Sequence, residues 1–242
     1  MDTRYWGPSG WELFHLIAFR SPHPDDVLNQ MKDVLPCKYC RASTTQFVHD
    51  HPLRLAGSDN STGPGKWLYE IHNMVNNKLR TQCASDPKVV NPGPDPAFEK
   101  VKAKYMHMKP TEVPGRDFLM AVAYNYTPER AKMATQRTFM HALSKVFPFD
   151  KYREAFAAYI KEHEPTLTSQ PAYLRWMYGL LKAMSSDIPF YRAYVKRVAY
   201  YKSGCSKKND RSATCRKQRG GGRDHRVTRR VVGRALLAKT ES

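Results

Sequence analysis

An octet built around one proline occurs twice in this chain, as "VLPCKYCR" (Val34–Arg41) and as "VFPFDKYR" (Val146–Arg153). The likeness extends to other segments in the same order. "HLIAFRSP" (His15–Pro22) resembles "MAVAYNYTP" (Met120–Pro128) once one inserted residue is allowed, and "WLYEIHN" (Trp67–Asn73) lines up weakly with "YLRWMYG" (Tyr173–Gly179). A second half that copies the first restricts the chain to two versions of one folding unit. In this register Cys37 becomes Phe149 and Cys40 becomes Tyr152, so the second copy keeps the framework and loses the sulfur. The plainer alternative is chance similarity between two helical segments.

The unit reads as helical. "GPSGWELFHLIAFR" opens a helix, with Pro8 suited to its entrance and Ser9 and Glu12 in the spacing of a capping box. Val27, Leu28, Met31 and Val34 form the apolar stripe of a helix over 25–34, which Pro36 ends. A third helix starts near Cys37 and runs towards His49, and a fourth covers about 66–79. Residues 84–115 read as a proline-punctuated linker in which "AFEKVKAKY" is a short helical candidate. Helical pattern resumes over about 116–126, 128–147, 149–163, 170–186 and 188–201. The expected fold is all-α: a four-helix bundle (1–83), a linker (84–115), a second, degenerate helical bundle (116–201), and a basic, disordered tail (202–242).

The net charge of +18 is concentrated in that tail. Residues 196–242 hold fifteen Lys/Arg against three acids, a net of +12, leaving +6 for the rest. Basicity therefore describes the tail more than the body. It allows weak nucleic-acid contact there, attraction of acidic substrates, or plain solubility. The longest charge-free apolar run, "FLMAVAYNY" (Phe118–Tyr126), is too short to span a bilayer, and the first ten residues lack the apolar core of a signal peptide. The expectation is a cytoplasmic protein without a membrane span.

The five cysteines are too few for a disulfide scaffold, which turns attention to "PCKYC". Zinc needs four ligands, and no second C-x-x-C or H-x3–5-H completes the set, so no metal is expected. A structural disulfide across so small a loop removes little entropy from the unfolded chain. A redox pair fits better. A cysteine at a helix start meets unpaired N–H groups and the positive end of the dipole, and Lys38 and Arg41 add to the potential that favours thiolate. Thioredoxin-like proteins also carry such a pair, but in a βαβ setting that this half does not show. Around the pair, Trp11 and His15 stand four apart, with Phe19 one turn further on, and His72 and Asn76 share a helix face with Asn73 adjacent and Lys78 close by. An aromatic plane, two imidazoles and two carboxamides could hold a large flat heterocycle with phosphates. The bland alternative is a core stripe beside solvated asparagines.

Taken together, "WGPSGWELFH", "PCKYC" and "WLYEIHNMVNNKL" resemble the Erv/ALR family of FAD-linked sulfhydryl oxidases, over Tyr5 to about Cys83. The "WGP" opening and the missing targeting segment resemble members encoded by large DNA viruses, which would place the protein in host cytoplasm and in virions. The resemblance implies FAD beside Cys37 and Cys40 as the catalytic pair, held by Gly7, Trp11, His15, Phe19, His72, Asn73, Asn76 and Lys78. It implies that protein dithiols are oxidised and that O2 accepts the electrons as hydrogen peroxide. It also implies pairing of bundles, as a homodimer or as a pseudo-dimer within one chain. Many members have Tyr where Phe19 stands, and Cys where Tyr69 stands, which leaves Cys83 without its usual mate. A distal shuttle pair would have to be Cys205 and Cys215. The rival expectation is a structural or nucleic-acid-binding helical protein with a vestigial flavin site.

Overall fold

A computed structural model describes residues 1–54, 63–86 and 89–202. Cys205, Cys215 and all of the tail beyond Lys202 lie outside the described residues. The described chain forms ten α-helices and no strand: α1 (Thr3–Arg20), α2 (Asp25–Val34), α3 (Lys38–Asp50), α4 (Pro64–Ser85), α5 (Phe98–His107), α6 (Arg116–Tyr124), α7 (Arg130–Val146), α8 (Asp150–Glu162), α9 (Gln170–Met184) and α10 (Tyr191–Tyr200). None of these helices is long and apolar enough to cross a membrane.

The first helix begins earlier than its apparent capping box. Asp2 is the N-cap, its carboxylate accepting from the Arg4 amide at 3.0 Å, and Pro8 lies inside the helix. An aspartate N-cap satisfies an orphan amide as well as a serine does. Ser9, freed from capping, uses its hydroxyl to accept from the Phe118 amide of α6 at 3.4 Å.

In the first bundle α1 packs on α4, α2 on α3 and α3 on α4; in the second α6 packs on α9, α7 on α8 and α8 on α9. The bundles meet through equivalent helices, α1 on α6 and α2 on α7. Leu13, Phe14, Ile17, Leu28 and Ile71 on one side and Phe118, Phe139, Phe156, Met177 and Leu181 on the other belong to one buried apolar cluster. Each such side chain contributes about 1.5–3 kcal/mol on leaving water.

The repeat is visible in backbone detail. Leu35 ends α2 with φ −57° and ψ 136°, and Phe147 ends α7 with φ −56° and ψ 133°. The Trp67 indole donates to the His51 carbonyl after α3 at 2.8 Å, and the Trp176 indole donates to the His163 carbonyl after α8, also at 2.8 Å. Trp67 therefore corresponds to Trp176, one helical turn beyond the Tyr173 of the sequence register. With that correction His72 faces Leu181 in the copy and Asn76 faces Ser185. Phe149 occupies the N-cap place of Cys37 but takes φ 66°, and its ring lies 4.5 Å beneath the Arg20 guanidinium of α1. The position that opens α3 in one bundle thus becomes a contact between bundles in the other.

Two further elements pack against this frame. α5, within the 84–115 stretch, packs on α1 and α4. α10 packs on α6 and is fastened to α1 through Asp117, whose carboxylate accepts from the hydroxyls of Tyr5 (3.1 Å) and Tyr194 (2.8 Å) and from Arg197 (3.0 Å).

Candidate active site

Pro36 keeps α2 from running into α3, and Cys37 becomes the N-cap of α3. Its sulfur accepts from the Cys40 amide at 3.3 Å, the role a serine or aspartate oxygen plays at an ordinary helix start. The Cys37 thiol is held well below its ordinary pKa, first by a hydrogen bond from Cys40, then by the Cys40 backbone amide and a nearby amino group, against the opposing effect of burial. Cys40 is pushed the other way by the same shared hydrogen bond and by burial, with Lys78 opposing. One sulfur is thus poised as thiolate and its neighbour as thiol. Cys37 is 2% exposed and Cys40 is half-buried.

This shift has a measurable consequence. The folded pKa of Cys37, lowered from 9.0 to about 6, lies below its unfolded value, so thiolate formation stabilises the fold. That stabilisation is complete above the unfolded pKa and is lost as pH falls through the folded one. In the reduced protein, ultraviolet thiolate absorbance should show a step near pH 6 that Cys37→Ser removes. A first step at the ordinary thiol pKa would contradict the arrangement.

Beside the sulfurs, α1 and α4 bring aromatic and polar groups together. Trp11 stacks on His72 with ring centroids 3.8 Å apart and planes 9° apart. His15 shares a 2.9 Å hydrogen bond between its Nε2 and His72 Nδ1. Its other face stacks on Tyr105 of α5 at 4.7 Å. Burial holds both imidazoles neutral, His15 down to about 3 and His72 to about 4, with Lys104 adding to both shifts. Phe19 fits against α4 because Gly65 has no side chain; a Cβ there would come within 2.6 Å of the ring. Lys78 donates to the Ser43 hydroxyl at 2.6 Å, and Asn76 donates to Asp95 at 2.8 Å. Asp95 is itself clamped by Arg80, which holds its carboxyl below the usual range.

Both cysteines, Gly7, Trp11, His72, Asn76 and Lys78 line one cavity of about 520 Å³. His15 and Phe19 stand behind this wall rather than in it, and Asn73 does not line it either. Lys104 and Tyr105 of α5 do, as do Arg4, Val90 and Pro92. Sequence reasoning missed Val90, Pro92, Lys104 and Tyr105 because they sit in a proline-punctuated stretch, where the amphipathic "AFEKVKAKY" was the available signal, and it missed Arg4 because that residue precedes the motif read in α1. Tyr69 donates to the Pro96 carbonyl at 2.9 Å and meets the Phe98 ring edge-on at 5.4 Å, so it ties the following segment to α4 without a covalent bond. Cys83 is a half-exposed free thiol.

The cavity suits a flavin dinucleotide. Its size is that of a cofactor pocket. Trp11 offers a stacking plane, and Lys78 and Lys104 offer cations for phosphates. A helical bundle that sets a thiolate–thiol pair against such a pocket defines a dithiol-handling protein built to receive an aromatic cofactor. Comparison with known proteins agrees. The model of the Erv1/Alr family matches residues 8–92. An FAD-linked sulfhydryl oxidase of African swine fever virus is 33% identical over 91 residues, covering 34% of this chain and 73% of that protein. A probable FAD-linked sulfhydryl oxidase of Acanthamoeba polyphaga mimivirus is 26% identical over 114 residues, covering 43% and 80%. The mitochondrial FAD-linked sulfhydryl oxidase ERV1 of Saccharomyces cerevisiae is 28% identical over 88 residues, covering 33% and 45%. The chain belongs to the Erv1/Alr family. No solved structure matches it significantly.

Proposed function

We propose that this protein is an FAD-dependent sulfhydryl oxidase that makes disulfides in protein dithiols and passes the electrons to O2. The observation that carries this reading is that Cys37, Cys40, Trp11, His72 and Lys78 line the same cavity. Gly7, Trp11, His72, Asn76 and Lys78 would hold the cofactor directly, joined by Lys104 and Tyr105. His15 and Phe19 would support that wall from behind, and Asn73 would serve at its edge. The catalytic unit accordingly runs from the 1–83 bundle through α5, followed by the degenerate bundle of 116–201 and the tail of 202–242.

A substrate thiolate attacks Cys37 of the oxidised pair. The Cys37–Cys40 bond breaks, and Cys40 leaves as a thiolate near Lys78. The second substrate thiol then attacks the mixed disulfide, Cys37 departs, and the substrate leaves as a disulfide. Two electrons and two protons remain with the pair. The low pKa of Cys37 makes it the better leaving group in that last exchange. Its 2% exposure requires the substrate to displace neighbouring side chains first. When bound, FAD supplies the two-electron acceptor that restores the pair and reduces O2 to hydrogen peroxide. The neutral imidazoles and the cations at Lys78 and Lys104 keep the pocket net positive, which favours a phosphate-bearing ligand.

The packing of α1 on α6 and α2 on α7 supports a pseudo-dimer within one chain. Cys205 and Cys215 would act as the shuttle, and the tail would provide weak nucleic-acid contact. Host cytoplasm and virion are the corresponding locations. The purified protein should carry visible flavin absorbance and consume one O2 for each molecule of dithiothreitol oxidised. A colourless protein that takes up no FAD would end this reading.

A further inference from the structure

We propose that the exposed face of α10 docks an acidic segment of the protein whose dithiol the Cys37–Cys40 pair oxidises. This rests on the oxidase reading and adds the chemistry of its substrate.

The first observation is charge. From Ile188 to Lys202 the chain has four cations, Arg192, Lys196, Arg197 and Lys202, and no acid. Arg192 and Lys196 are exposed and one helical turn apart. Asp187, just before this stretch, is exposed, whereas the carboxylates that α10 packs towards are turned inward. Asp117 is 14% exposed and is occupied by Tyr5, Tyr194 and Arg197. Asp2 is 1% exposed and is held by Arg4. With Arg197 held by Asp117, the outer face of α10 presents the positive charge of Arg192 and Lys196.

The second is apolar exposure. Phe190 is 87% exposed and Tyr200 59%, one at each end of α10 and about 15 Å apart along the helix. Tyr200 continues the row of Arg192 and Lys196 one turn on, and Phe190 stands just before the helix; aromatic rings beside a cationic row are anchors for an extended chain, and rings with few rotors bind at low entropic cost.

The third is position. Tyr201, just after α10, accepts from the Asp2 amide at 3.0 Å and stacks on Tyr5 with centroids 4.8 Å apart. Thr3 and Arg4, the next residues of α1, line the cavity that holds both sulfurs. The face of α10 thus leads directly to the rim a substrate thiol must cross. A nucleic acid would gain from the charge but nothing from the route to the sulfurs, so an acidic dithiol protein is the occupant that uses all three features.

The test uses the full-length, FAD-loaded protein and two reduced synthetic peptides, each with a Cys-x-x-Cys, one flanked by glutamates and one by lysines. The glutamate peptide should be oxidised with the higher kcat/KM, and that advantage should fade with salt. Arg192→Gln combined with Lys196→Gln should lower kcat/KM for the glutamate peptide about fivefold, mostly through KM, and leave dithiothreitol oxidation unchanged. A serine version of the same peptide should bind about fivefold more weakly to the double variant by fluorescence anisotropy, a readout independent of any redox chemistry. Unchanged peptide affinity in the double variant would overturn the proposal. So would a variant that loses only affinity for single-stranded DNA. Absence of dithiothreitol oxidation by the FAD-loaded wild type would remove the oxidase reading itself, and this proposal with it.

Discussion

Cys40→Ser should reduce turnover of dithiothreitol on the order of 10³-fold or more while the protein stays folded and keeps its flavin colour. A serine oxygen cannot form the disulfide that the substrate must break, so no alternative route supplies the lost step. The fold should tolerate the change. Cys40 contributes its backbone amide to the Cys37 sulfur, and serine leaves that amide in place. The two readouts should therefore separate: oxygen consumption falls, and visible flavin absorbance and thermal midpoint stay near wild type. Equal oxidase activity in the variant would dissociate the pair from catalysis.

Gly115→Val should strongly destabilise the frame that holds the two bundles together. Gly115 precedes α6 with φ 75°, a conformation that costs a side-chain-bearing residue about 1–2 kcal/mol. A Cβ at this position would also lie 2.6 Å from Leu13 Cδ2 and 2.8 Å from Leu13 Cβ, and Leu13 is fully buried. Displacing a packed core side chain adds about 1–3 kcal/mol. Together these give about 3 kcal/mol, a fall in thermal midpoint of roughly 6–12 °C, to be read by circular dichroism with FAD in excess. A shift of less than about 2 °C would mean that α1 and α6 do not pack this closely.

Much of the first bundle was legible because its signals are local. The stripe Val27, Leu28, Met31 and Val34 marks α2 to the residue. Pro36 sets the break at which Cys37 becomes a cap. The Erv/ALR likeness depended on side-chain types at fixed helical spacing, and Trp11, His72, Asn76 and Lys78 line one cavity with the two cysteines. The start of α1 was misplaced because Ser9 and Glu12 satisfy a capping pattern that Asp2, seven residues earlier, satisfies in fact. Capping is a competition, and a short-range pattern does not reveal which candidate wins.

The division between sequence and tertiary structure follows from range. Helix identity, the repeat and the pairing of two cysteines across one turn depend on residues a few positions apart, where backbone geometry sets the distances. The stacking of Tyr105 on His15, the burial of Cys37 and the seating of Tyr201 against Asp2 join residues far apart in the chain. Their meeting is decided by how whole helices shed apolar surface against one another, and only the folded molecule expresses that choice.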